Sequence, residues 1–354
     1  MATRLAKFEF QQGFHRETTA YAEGQRWFDG NYVRFRAGRP ENMRGYETRA
    51  SGATFDGSAR DLLTWSDSDS KKRAIFGTPD KLYVNEGDVI YDITPITTAV
   101  TLANVFGTSS GSTRVCCSDA GHGRAVGDYV LFTSSAAFNA VSLQGNTYQV
   151  VSVDSANVFT ISVTGAANAT GSDAGSATFN YYIPTGSSIA AAGLGYGAAR
   201  YQATVCASQT RAWNQPASAG SSGIVFDITQ WSLDNWGEDV VANRKGSNIF
   251  YFDSDASVLP TRATSVTTSP IKSNSIIVSP NDRHLICLGT NEFAADATVS
   301  GTFNPMLVRW SDQDDRSNWV PSVSSTAGEV VLTDGTEIIG AVRSKNAINI
   351  WTDN

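Results

Sequence analysis

Four stretches of the chain share one pattern: a short apolar strand, a turn of Gly, Pro, Asp, Asn or Lys, then a second short strand rich in aromatic and β-branched residues. They are AIFGTPDKLYVNEGDVIYDIT (74–94), VVANRKGSNIFYFD (240–253), LICLGTNEFAADATVSGTFNPMLVRWSD (285–312) and IIGAVRSKNAINIWTD (338–353), each with an Asp at or near its end. A lone hairpin cannot bury its apolar face, whereas several small sheets set radially bury their faces against neighbours and leave only short edges. The recurrence therefore predicts a β-propeller-like domain, with a plain β-sandwich as the competing arrangement. The last copy ends on INIWTDN with no closing segment. A propeller begun this way closes with its N-terminal segment, or the sequence is truncated there.

Composition agrees with a β reading. The chain holds 31 glycines among 354 residues, is rich in Ser and Thr, and has few Leu, Lys and Glu outside short stretches. Gly and β-branched residues lower helix propensity, so the expected class is all-β. The length suits two domains, or one large domain with an insertion. Between the first two copies the texture changes: residues 115–163 contain DYVLF, TYQVVSV and VFTISV joined by polar turns. This reads as a small β-barrel or sandwich inserted over 95–183. Its flanks, TPITTAVTLANVFGTSSGS and TGAANATGSDAGSATFN, fit edge strands or linkers equally. The expected organisation is a docking leader over 1–58, a propeller-like domain over 59–94 and 184–354 that this chain need not complete, and the insertion.

A formal net charge of −7 and a pI near 5.0 repel a polyanion rather than gather one. The opening MATRLAKFEF is too charged for a signal peptide and no run of roughly 18 apolar residues occurs, so synthesis and assembly in a cytoplasm, without a membrane anchor, are expected. Cys116, Cys117, Cys206 and Cys287 form no CxxC motif, have no histidine at metal-ligand spacing, and read as reduced. His15, His122 and His284 fall in three regions with no G-x-S-x-G or H-E-x-x-H around them. GLGYG (193–197) lacks the strand–helix context and the lysine of a phosphate-cradling loop. No cofactor and no metal are expected.

Two acidic turns, WSDSDS (65–70) and WSDQDDRSNW (310–319), support an alternative, a carbohydrate-binding or glycoside-hydrolysing propeller built on Trp65, Asp67, Asp69, Trp310 and Asp312. They lack the Gly and the Thr-Trp ending of sialidase-type Asp-box turns. The simpler reading is turns whose side-chain oxygens accept backbone amides while the tryptophans pack against the sheet. SDQDD (311–315) likewise lacks the Gly and terminal Glu of an EF-hand loop. A third reading, a secreted adhesin or surface-layer protein, needs an export signal upstream of residue 1.

The densest basic cluster lies in DGNYVRFRAGRPENMRGYE (29–47), where Arg34, Arg36, Arg39 and Arg44 mix with Tyr32, Phe35 and Tyr46. In YVRFRAG, Tyr32, Arg34 and Arg36 alternate with Val33 and Phe35 at period two, one basic face and one apolar. Asp29, Glu41 and Glu47 are interleaved, so salt-bridged protein docking competes with phosphate contact.

The stretch GFHRETTAYAEGQRWFDGNYVRFRAGRPENMRGYE (13–47) resembles the opening of the tail hub or nozzle proteins of short-tailed bacteriophages, the packaged-DNA stabilisation family. A Gly, an E-x-T, a Trp before Asp-Gly, V-R-F-R and G-x-P-E recur there in order. QWSLDNWGEDVVANRKGSNIFYFD (230–253) is similar to that family's central blade, and residues 308–353 to its next two. The inserted segment is similar to a small β module found in various phage virion proteins. The resemblance implies a non-enzymatic virion component: a homohexameric ring below the head-to-tail adaptor, in the virion tail, whose lumen passes genomic DNA without sequence-specific binding. Tail fibres or spikes and a tail needle attach nearby. Arg34, Arg36, Arg39, Arg44, Tyr32 and Phe35 would then be the subunit or adaptor docking residues.

Overall fold

The computed structural model describes residues 11–17, 19, 21, 27–43, 45, 53–183, 230–255, 259–294, 301–345 and 347–353. All regular structure among them is strand, and the chain divides into two compact units, Met1–Ser51 and Gly52–Asn354. The smaller unit holds one antiparallel hairpin, β1 (Val33–Arg36) and β2 (Arg39–Asn42).

The larger unit is a row of antiparallel sheets interrupted by a barrel. The first sheet comprises β3 (Asp61–Ser66), β4 (Lys72–Gly77), β5 (Leu82–Glu86) and β6 (Val89–Asp92) in sequential order. Six strands then close a barrel: β7 (Val100–Thr108), β8 (Arg114–Ser118), β9 (Tyr129–Ser135), β10 (Thr147–Ser155), β11 (Val158–Ser162) and β12 (Gly171–Tyr181). Their order around the barrel is β10-β11-β8-β7-β12-β9. The second sheet follows as β13 (Trp231–Trp236), β14 (Asp239–Arg244), β15 (Ile249–Phe252) and β16 (Thr264–Ser265). The third is β17 (Ser273–Val278), β18 (Leu285–Asn291), β19 (Phe303–Trp310) and β20 (Gly328–Val331), and the last pair is β21 (Ile338–Arg343) and β22 (Ile348–Thr352). The chain is thus all-β, with propeller-like blades and an inserted barrel. The insertion's flanks, open between strand and linker in sequence, form β7 and β12, which pair with each other.

Successive blades bury apolar faces against one another, as the period-two alternation of a strand requires. On β14, Val240 and Ala242 join Trp65, Ile75, Leu82, Val84 and Trp231 in the seam between the first and second blades. The intervening Val241 points the other way, into the seam with the third blade beside Trp236, Ile276, Leu285 and Cys287. A strand buried on both faces reads as an unbroken apolar run, which is why β14 carries VVA at 240–242. A third seam sets Leu288, Met306 and Val308 against Ile338, with Ile348 and Ile350 packed beside them. The barrel has its own core, where Phe106, Phe132, Phe159 and Phe179 are each at most 1% exposed.

Polar groups stitch the seams. Asp234 on β13, 3% exposed, accepts the Val278 amide of β17 at 2.7 Å and pairs with Arg343 of β21. One carboxylate therefore joins the second and third blades to the final pair, and burial raises its pKa. At Gly77, a Cβ would fall inside the ring of Trp231, whose Nε1 donates to Thr78 O at 2.8 Å. Gly77→Ala is expected to cost about 1–3 kcal/mol through overpacking, read as a lower thermal midpoint with altered tryptophan fluorescence. An unchanged melt would mean that Trp231 can shift freely.

Cysteine chemistry departs from the expected reduced set. Cys116 is disulfide-bonded, whereas Cys117 and Cys287 are free and buried; Cys206 lies outside the described residues. The missing CxxC spacing misled here, because a bridge needs proximity in space and not along the chain.

Candidate functional site

The hairpin of the leader forms because alternating residues flank a tight turn. Ala37 and Gly38 both take positive φ, 48° and 79°, the geometry of a two-residue turn whose twist matches the strands it joins. The register sets Arg34 opposite Glu41, Phe35 opposite Pro40 and Arg36 opposite Arg39. Directly opposed residues share a face. One face therefore carries Arg34, Arg36, Arg39 and Glu41, and the other Val33, Phe35, Pro40 and Asn42.

On the charged face Arg34 pairs with Glu41 at 3.2 Å, both side chains well exposed. Arg36 and Arg39 make no ion pair among the described residues. On the apolar face Phe35 meets the edge of Phe14, ring centroids 5.3 Å apart. Phe14 lies over Gly30, where a Cβ would come within 2.6 Å of the ring. Arg16 pairs with Asp29, and that hydrogen bond, with the Gly30 amide, lowers the Asp29 pKa. Backbone contacts bind the segments further: His15 N donates to Trp27 O at 2.9 Å and Met43 N to Tyr32 O at 2.6 Å. The structure thus brings Arg34, Arg36 and Arg39 together, turns Phe35 to the opposite side, and leaves Tyr32 at the open end, 67% exposed and at positive φ. Arg44 lies outside the described residues. Phe14, Arg16 and Gly30 escaped the sequence reading; the one hint was the Asp29-Gly30 step.

The residues proposed for carbohydrate chemistry are held otherwise. Asp67 is buried and paired with Arg73 at 3.1 Å, and Arg73 also reaches Glu86 and the Ser254 carbonyl, each at 2.6 Å. Trp65 packs in the first seam and donates from Nε1 to Ser254 Oγ at 3.1 Å. Asp312 accepts the Thr326 hydroxyl and amide, the Gln313 amide and Asn318 Nδ2, and these bonds hold its carboxyl down at about 2. Trp310 Nε1 donates to Thr326 O at 2.8 Å. In SDQDD the carboxylates are divided: Asp314 pairs with Arg283 at 2.8 Å, while Asp315 accepts the Ser317 amide. In both segments the carboxylates are held by neighbouring groups, Asp67 by Arg73, Asp312 by Thr326 and Asn318, and Asp314 by Arg283.

Asp353 is held like Asp312, its carboxyl kept at about 2 by the Thr336 hydroxyl and amide and the Glu337 amide. A depressed carboxylate contributes stability above its unfolded pKa near 3.8 and loses it as pH falls through the folded value. The amides of Thr326, Thr336 and Glu337 are therefore expected to lose exchange protection, corrected for intrinsic rate, as pH drops from about 4 toward 2, ahead of the barrel amides. Simultaneous loss everywhere would refute the local clasps.

No family model matches the chain, and no curated protein matches it. Among solved structures it is similar to the phage phi92 endosialidase at 14% identity and a TM-score of 0.24, over 88% of this chain and 43% of that one. The neighbour is by name an enzyme, and the expectation that this chain is not one is corrected accordingly. That expectation rested on missing serine, histidine and zinc motifs, which glycosidic chemistry does not require. At this TM-score the likeness assigns the chain no activity of its own.

Proposed function

We propose that the chain is a tail component of a short-tailed bacteriophage, a structural subunit of the nozzle or hub ring below the head-to-tail adaptor. The observation that carries this reading is the leader: its ordered signature coincides with a hairpin that displays three arginines on one face. Such a hairpin offers charge-assisted hydrogen bonds to a carboxylate-bearing partner, with Tyr32 adding contact area. A series of blades with a barrel between two of them suits a platform to which fibres, spikes or a needle attach. The acidic balance of the chain favours passage of DNA over its capture.

Mass spectrometry of purified virions is expected to find the chain in about six copies per particle, the stoichiometry of one cyclic ring; its absence from virions would overturn the reading. Arg34→Ala with Arg36→Ala is expected to abolish incorporation into the ring or onto the adaptor while the subunit stays folded. An exposed pair such as Arg34–Glu41 is worth only about 0–1 kcal/mol. Normal assembly of the double variant, seen by negative-stain imaging, would remove the hairpin from the docking surface.

A further inference from the structure

Three sheets of the larger unit have four strands, whereas β22 pairs only with β21 among the described residues. A sheet edge is normally blunted by shortness or charge, because its unpaired backbone groups recruit other strands. The outer strands of the complete blades follow that rule: β16 has two residues, β6 carries Asp92 and β20 carries Glu329. β22 does not, being five residues of INIWT with neither a charge nor a proline. Arg343 of β21 pairs with Asp234 of the leading strand β13, and Glu337, just before β21, accepts Asn274 Nδ2 of the leading strand β17 at 3.1 Å. β21 therefore takes the leading place of a fourth sheet, and the margin of β22 lies where the other sheets have their third strand.

The third blade shows the consequence. Val330 on β20 stands opposite Val308, on the face that meets β21 and β22, yet Val330 is 47% exposed and Val308 only 6%. In the complete seam between the first two blades, Tyr91 of the outer strand packs into the apolar cluster that holds Phe250 and Phe252 of the third strand β15. The margin of β22 is also held in strand geometry at both ends. Ser344 N donates to Ala347 O at 2.8 Å, and Asp353 N to Glu337 O at 3.2 Å beside the Asp353 carboxylate clasp. A preformed edge loses little ordering entropy when it pairs. We propose that the margin of β22 binds an extended strand of another protein, aromatic or β-branched at alternate positions, whose side chains cover Val330. Main-chain bonds supply the affinity of such strand addition and the alternate side chains its selectivity. The described strands of that pattern in this chain, such as β5 and β15, are already buried in their own blades, so the occupant comes from another protein. The surface is independent of the leader and of the tail reading.

The test is hydrogen exchange of the full chain with a synthetic peptide, KGSNIFYFDS, the sequence of residues 245–254 around β15. The peptide is expected to slow exchange at Ile348–Thr352 at least about tenfold and to leave the barrel amides unchanged. The same peptide carrying Phe250→Ser and Phe252→Ser is expected to slow nothing. Val330→Asp places a charge on the strip that the added strand would cover, and is expected to weaken peptide binding at least about tenfold with an unchanged melting curve. No slowing at about 1 mM peptide, equal slowing by the serine peptide, or wild-type affinity in Val330→Asp overturns the proposal. So does full protection of β22 in the free monomer, which would show that a segment of this chain already fills the margin. A dimer joined from β22 to β22, seen by sedimentation at the same protein concentration, overturns it as well by assigning the margin to a second copy.

Discussion

Replacing Arg73 by leucine is expected to lower the unfolding free energy by about 3–5 kcal/mol, the usual cost of breaking a buried ion pair from one side. Both the Arg73 and the Asp67 side chains are 4% exposed. Without the guanidinium, Asp67 keeps, among the described residues, only the Lys71 amide at 2.8 Å to offset a buried negative charge. The Ser254 carbonyl, on the neighbouring blade, loses its donor as well. The double variant Arg73→Met with Asp67→Asn removes both charges, and is expected to recover part of the loss, because apolar or neutral groups of similar size escape the desolvation penalty. Urea unfolding of both singles and the double gives the coupling directly. A single-variant loss below about 1 kcal/mol would mean that solvent reaches the pair and screens it as at a surface.

Trp319→Ala is expected to cost about 3–5 kcal/mol, as truncations of fully buried aromatics do. The loop that follows β19 folds back so that Trp319, 1% exposed, enters the seam between the second and third blades. Its indole Nε1 donates to Arg316 O at 2.7 Å, and its carbonyl accepts Arg309 Nη2 at 3.0 Å. Truncation leaves a cavity beside Cys287, whose thiol is pushed up to about 12 by burial. Thiol labelling located by peptide mass spectrometry is therefore expected to be faster at Cys287 in the variant and unchanged at Cys117 in the barrel core. Equal labelling in variant and wild type would show that the seam closes over the gap.

Much of the architecture was visible in sequence at the points where burial imposes a regular pattern. The four repeated stretches fall on the middle strands of the blades, β4 with β5, β14 with β15 and β18 with β19, on the edge strand β6 of the first blade, and on β21 with β22. The leading strands β3, β13 and β17 were not part of that pattern. Asp61 and Asp234 stand in strands, where aspartate is usually depleted. Asp234 is tolerated because an amide of the next blade and Arg343 satisfy it, partners at long sequence distance that no local pattern reveals. The leader hairpin was legible from the alternation in YVRFRAG, although positive φ at Tyr32 takes that residue out of the alternation. Asp67 and Asp312 looked alike as acidic turns beside a tryptophan, and only packing separates them. The first is sealed with an arginine and the second is an exposed clasp.

The barrel joins the first blade through a narrow neck. Its entering and leaving strands are laced by Thr97 N to Tyr181 O and Ile183 N to Pro95 O, each at 2.8 Å. Tyr182 donates to Asp92 at 2.7 Å, and Arg262 from the second blade reaches both Asp92 and the Tyr182 hydroxyl. Entry and exit are thus clamped side by side and tied to two blades at once. A tug on the barrel loads those bonds together, in parallel and in shear, instead of peeling them one at a time. The barrel should behave mechanically as a lever fixed to its base and not as a pendant on a string, handing any force it receives straight to the blades beneath.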